Sequence, residues 1–333
     1  TPVARSVNSD PGSVSGSASA GNWGMELVGD ETGVIADFME FLRPQTIVGK
    51  FGSGNIPSLT RVPFNAPLVG AVSGGSGYWV GEGKAKPMTK FGFSRTHLEP
   101  MEVAATAAVT KRLLRRAGSG LDVMIRDMLT EALIETSDLA FIDPSNSGTP
   151  NIKPASIANG ITPIAATGTG DAADIRADVR AAFGAFIAAD NAPTSGVWIM
   201  RATTALALSL MQNALGQAEF PGVSMNGGTF VGLPVIVSEH VPGVSAGDYV
   251  VLVNARDIYY GDDGGVKVDT SEHASLEMDD APSHDSVTPT ETTLVSMYQT
   301  NSVAFRAERL IDWMRRRDSG VVVISGVNWG EAT

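Results

Sequence analysis

Apolar residues recur at steps of three and four along one stretch: Leu121, Met124, Ile125, Met128, Leu129, Ala132, Leu133, Thr136 and Leu139. That period predicts a long amphipathic α-helix. Leu121, Ile125, Met128, Leu129 and Leu133 are its expected core-facing residues. Ser119 stands at the N-cap position with Asp122 three residues on, a capping-box spacing, and Pro144 stops the helix. Upstream, THLEPMEVAATAAVTKRLL alternates apolar with polar and reads as extended chain. Before it, YWVGEGKAKPMTKFGF has aromatics at both ends, Gly and Lys between them, and no apolar face. This predicts a polar hairpin arm. An arm without a core of its own needs a surface to lie on, and a lone copy offers none.

The remaining pattern mixes both periods. Residues 1–21 are Ser-, Gly- and Ala-rich and read as a flexible arm. Asp30–Leu42 has Val34, Ile35, Phe38, Phe41 and Leu42 on one side and stops at Pro44. Thr46–Phe51 and Ser58–Phe64 read as strands, and 144–169 as a loop rich in Pro, Gly, Ser and Asn. Asp171–Ala189 and Thr203–Leu215 read as helices. Strands are expected at Val197–Met200, across TFVGLPVIVS with breaks at Gly232 and Pro234, at Asp248–Val253, at Val266–Asp269, over Val295–Arg309, and at VVVIS near the C-terminus. Helices and strands segregate rather than alternate, so the fold class is α+β.

Composition narrows the function. With 333 residues the chain can build more than one core. No run approaches the length of a membrane span, and no apolar signal segment is visible at the N-terminus. Cysteine is absent, which excludes disulfides and thiolate metal sites. The chain begins at Thr1, as a trimmed chain or a cleaved precursor would. The net charge of −12 argues against a protein whose main task is gripping nucleic acid. It suits either ordinary acidic solubility or a surface that must sit near DNA without sticking to it.

Catalytic and cofactor motifs are missing. There is no HExxH, GxSxG or GxxxxGK[ST], and no cofactor is implied. Asp262–Asp263 and Asp279–Asp280 read as solvated turns before they read as metal ligands. Arg315, Arg316 and Arg317 read as ion-pairing residues at a strand end before they read as phosphate contacts.

Four stretches carry a resemblance. WVGEGKAKP followed by VTKRLLRRAGSGLDVMIRDMLTEALIETSDLAFID resembles the projecting E-loop and spine helix of tailed-bacteriophage major capsid proteins. GGTFVGLPVIVSEHVP resembles that family's axial-domain stretch, and SMYQTNSVAFRAERLIDWMRRRDSGVVVISGVNW its C-terminal region. Order and spacing agree from about residue 25 onward. The resemblance implies the Hong Kong ninety-seven type fold and a structural subunit of an icosahedral capsid, assembled in the host cytoplasm and resident in the virion. It implies a flexible arm at 1–29, a spine-helix domain from 30–60, 100–185 and 296–317, an E-loop at 61–99, and an axial domain from 186–295 and 318–333. Implied partners are further copies in pentamers and hexamers, a scaffold segment or protein, a prohead protease, a portal, and weak non-specific contact with packaged double-stranded DNA. Trp79, Glu82, Lys84, Lys86 and Lys90 become candidate intersubunit contacts. An enzyme such as a hydrolase, or a tail-tube subunit, is the alternative.

Some members of that family join subunits through an isopeptide bond. By resemblance Lys86, which precedes Pro87, would be the reactive lysine. Asn301 would be the acceptor, and Glu308, seven residues on, the base. The chemistry needs a neutral lysine in a dry site. Against it, Asn301 is followed by Ser302, and Glu308 lies beside Arg309 and near Arg306. A salt bridge and a non-covalent arm contact are the simpler roles.

Overall fold

The computed structural model describes residues 46–330 apart from 74–75, 90–91, 118–119, 245–246, 264–266, 280–281 and 283–290. The expected N-terminal arm, the segment Asp30–Leu42, the cap residue Ser119 and Lys90 lie outside the described residues. In chain order the first elements are α1 (Ile47–Lys50), β1 (Thr60–Arg61), β2 (Leu68–Ser73), β3 (Gly92–Thr96), β4 (Met101–Thr110), α2 (Lys111–Ala117) and α3 (Gly120–Ile142). Then come β5 (Ile164–Ala165), α4 (Ala172–Ala188), β6 (Gly196–Met200), α5 (Ala202–Leu210), β7 (Val223–Ser224), β8 (Gly227–Phe230) and β9 (Leu233–Val237). The last strands are β10 (Gly243–Val244), β11 (Gly247–Asn254), β12 (Ile258–Asp262), β13 (Lys267–Ser271), β14 (Ser275–Glu277), β15 (Leu294–Ser296), β16 (Ser302–Arg315) and β17 (Val321–Val327). The mixture is α+β, as its sequence pattern predicts.

The chain forms two compact units. One takes Val103–Thr136 and Gly265–Arg309. Its core sets Leu113, Leu121, Met124, Ile125, Leu129 and Leu133 against Val109, Val303, Phe305 and Ala307. β13 pairs antiparallel with the first part of β16, from Lys267 opposite Glu308 to Ser271 opposite Ala304. β4 also pairs with β16. A smaller cluster of Val295, Met297 and Ala304, with Ala108 and Leu276 against it, adds to this core.

Met128 departs from the expected helix face. It is 38% exposed, and Leu139 and Thr136 are exposed too. A buried row runs through Leu121, Ile125, Leu129, Leu133 and Ser137, every fourth residue, with Met124 buried beside its start. Each step of four advances about 40° around an α-helix. The buried stripe therefore spirals, and Met128, which starts in line with Leu121, ends up to one side of it. That is the geometry of an inclined i±4 ridge rather than a straight seam.

The other unit takes Gln45–Glu102, Ser137–Gly264 and Leu310–Thr333. Its sheet has the order β5-β17-β11-β6-β9-β8-β7, with β10 paired to β11. β6 is buried at every position, because α4 and α5 contribute Ile175, Phe186, Ala205 and Leu208 to the same core as Trp198, Met200, Leu252 and Ile324. Trp329 closes this core and donates its indole N–H to the buried Asp178 carboxylate at 2.9 Å.

Three sequence expectations are corrected. Thr46–Phe51 is not a strand: Thr46 caps a short helix, its Oγ1 accepting from Gly49 N at 3.0 Å. The helix expected at Thr203–Leu215 stops at Leu210, and Asn213 Oδ1 then accepts from the amides of Leu215 and Gln217, a local alternative to helical bonding. The strand expected over Val295–Arg309 is instead β15, a turn through Asn301 at φ 52°, and β16 running on to Arg315.

Candidate functional site

The sequence that lacks an apolar face makes an exposed hairpin. β2 and β3 pair antiparallel from Leu68 opposite Thr96 to Ser73 opposite Gly92. The Thr89 hydroxyl accepts from Ser76 N at 2.8 Å and ties the two sides of the tip together. Beyond that tie, residues 76–89 form neither helix nor strand, and every one is exposed. Their one turn, from Gly81 to Lys84 with Gly83 at φ 76°, needs the left-handed backbone that glycine allows. Trp79 is fully exposed and Met88 nearly so. A tryptophan buries on the order of 200 Å² when covered, worth about 5 kcal/mol before the costs of association. Glu82, Lys84 and Lys86 share the exposed tip.

The root of the hairpin is held firmly. Leu98 is buried and its carbonyl accepts from Asn65 N at 2.8 Å. Phe64 and Leu98 press on Gly261, where an added Cβ would meet Phe64 at 2.8 Å. The Asp312 carboxylate accepts from Glu99 N at 3.0 Å and from Trp313 N at 2.7 Å. Burial pushes Asp312 up to about 6; the Trp313 and Glu99 amides pull the other way. The folded chain therefore holds a proton here, between the ordinary value of 3.8 and about 6, that the unfolded chain has released. Its contribution to stability falls as pH rises through that window and returns on acidification. Thermal unfolding of wild type and Asp312→Asn across the window tests this. Wild type should lose more stability than the variant between its acidic and neutral ends, whereas parallel curves contradict the assignment.

The candidate crosslink residues are distributed over both units. Lys86 sits on the hairpin tip; Asn301 and Glu308 belong to the unit of Val103–Thr136 and Gly265–Arg309. Asn301 is exposed and its carbonyl accepts from Lys111 N at 2.9 Å. Glu308 is half-buried and ion-paired to Arg306 Nε at 2.6 Å. That ion pair already occupies the carboxylate. Arg315 pairs with Asp318 at 3.2 Å and donates to the Ile157 carbonyl at 3.1 Å. Asp262 accepts from the Tyr260 hydroxyl at 2.9 Å. Among the described residues no group of His, Asp and Glu is arranged to hold a metal, and no helix is long and apolar enough to cross a membrane.

Two anchoring carboxylates escape a reading of the sequence. Asp138, fully buried on α3, accepts from Ile47 N at 2.7 Å. Lys50 donates to the Val237 carbonyl at 2.5 Å, and its ammonium is shifted down by burial and held up in part by Asp138. Asp312 is the second. Asp312 interrupts the apolar run LIDWM, which is its available signal, whereas Asp138 follows the polar Glu135, Thr136 and Ser137 and gives none.

The Phage capsid family model matches residues 57–326. A capsid polyprotein of Pseudomonas phage PAJU2 is 60% identical over 310 residues, covering 93% of this chain and 46% of the relative. The chain thus spans about half the length of that polyprotein. The major capsid protein of Klebsiella oxytoca phage phiKO2 is 23% identical over 329 residues, covering 96% of this chain and 72% of the relative. Among solved structures, a chain from Mycobacterium phage Bobi superposes with a TM-score of 0.63 at 14% identity, covering 89% of this chain and 99% of its own. The capsid of a native GTA particle computed with C5 symmetry superposes with a TM-score of 0.55 at 17% identity, covering 88% and 98%. These likenesses bear on the fold.

Proposed function

The chain belongs to the phage capsid family; from that premise we propose that it is a structural subunit of a virion shell whose copies form pentamers and hexamers that close around double-stranded DNA. The observation that supports this reading best is the hairpin tip, an exposed arm whose Trp79 is fully open to solvent. Trp79, Glu82, Lys84 and Lys86 meet a neighbouring copy. Such head-to-tail contacts close into rings when the rotation fits. Sedimentation of the purified chain tests this. Rings and shells support it; a small dimer or tetramer at every concentration contradicts it.

The same reading assigns the family's wider cast to this chain: a scaffold segment or protein, a prohead protease and a portal. Contact with DNA is weak and non-specific, because a chain of net charge −12 repels a polyanion. The arm contact is non-covalent, in keeping with the ion pair that occupies Glu308. Shells boiled in denaturant should run as one band near 34.7 kDa. A ladder that disappears in Lys86→Ala would establish the isopeptide bond instead.

A further inference from the structure

Helix α2, KRLLRRA, concentrates cations in a chain that is otherwise acidic, with 36 acidic against 24 basic residues. Its four cations do not behave alike. Lys111 turns to Glu272 of its own unit, Nζ to Oε2 at 2.7 Å. Arg112, Arg115 and Arg116 are exposed. Their i, i+3, i+4 spacing puts them on one face. Among the described residues, no carboxylate of the chain forms an ion pair with any of the three. The face is also fixed in place. Leu113 is buried in the core behind it, and the Thr110 hydroxyl accepts from Leu113 N at 3.3 Å at the start of the helix. Arg115 and Arg116 in the last turn suit the negative end of a helix, but Arg112, in the first turn, does not.

We propose that Arg112, Arg115 and Arg116 form a docking surface for carboxylates on a second copy of this chain. This rests on the shell-subunit reading. Charge complementarity supplies the partner, since each copy brings an excess of carboxylates, 36 acidic against 24 basic residues, for three cations to meet locally. Size argues the same way. From Arg112 to Arg116 the helix rises only about 6 Å, a compact site for two or three carboxylates rather than a track along a phosphate backbone. Guanidinium groups suit the role, because each can grip a carboxylate with two parallel hydrogen bonds.

The test uses nuclease-treated full-length chain and two triple variants. One changes Arg112, Arg115 and Arg116 to Gln, and the other changes them to Lys. Light scattering gives the concentration at which shells form, at about 0.05 and about 0.5 M salt, conditions of weak and strong screening. Three exposed ion pairs lost together should raise that concentration about tenfold at low salt in the Gln variant. Its salt dependence should flatten, and the Lys variant should stay close to wild type. In shells of the Lys variant, a zero-length carbodiimide, which takes up the water released, should form amides between these lysines and carboxylates of another copy. Thermal unfolding of the free subunits should be unchanged, since all three side chains are exposed. A folded Gln variant that assembles like wild type overturns the proposal. So does unchanged assembly with loss of binding to a short DNA duplex, which would make the face a nucleic-acid surface. Wild type that forms no shells under any condition refutes the shell reading itself, and the proposal with it.

Discussion

Trp79→Ala should leave a subunit that folds as well as wild type and no longer forms shells. The side chain is fully exposed and is not covered by any of the described residues. Truncating such a residue changes folding stability by less than about 0.5 kcal/mol. At an interface the same truncation is costly, because a tryptophan anchor is worth about 2–4 kcal/mol. In a closed shell every subunit both gives and receives the contact, so the loss recurs at each one. Thermal unfolding and light scattering on the same sample check both halves. Normal shell yield would remove Trp79 from the interface. A melting temperature lowered by several degrees would show that the tip has a partner within its own subunit.

Leu133→Asp should be the most damaging single change in the helix, and Met128→Asp one of the mildest. Leu133 is 1% exposed and packed among Leu129, Phe305 and their neighbours, while Met128 is 38% exposed. A carboxylate at Leu133 would lose the leucine contacts and bury a charge with no partner, a cost of roughly 4–5 kcal/mol or more. That corresponds to a melting temperature lower by about 10 °C, or to no soluble protein. Met128→Asp should cost less than about 1 kcal/mol. Comparable damage from both would mean that the buried stripe runs straight along the helix rather than spiralling.

The contrast between these two residues shows what the sequence made legible. The long helix was readable because its period is local. Which of its rows is buried was not, because that depends on the angle at which other elements cross it. Thr46, Ile47 and Val48 are β-branched and read as strand, yet one capping hydroxyl on Thr46 sufficed to start a helical turn. The polar hairpin was legible as the stretch without an apolar face. Its anchor was not: Glu99 meets Asp312 at a separation of 213 residues, and a lone carboxylate between Ile311 and Trp313 carries no local sign of a distant amide. Asp138 and Ile47, 91 residues apart, hide the same way. Of the cations of α2, Lys111 and Arg112 fall within a stretch whose alternation reads as extended chain. The helix beginning at Lys111 is what places three arginines on one face.

The central claim is that the hairpin tip is an intersubunit arm. An electron cryomicroscopy map of particles assembled from this chain tests it most directly. Closed shells with five- and six-fold rings are expected, in which residues 76–89 of each copy lie over a neighbouring copy and Trp79 is covered by it. A map in which those residues fold back onto their own subunit, or in which Trp79 stays in solvent in finished shells, would contradict it.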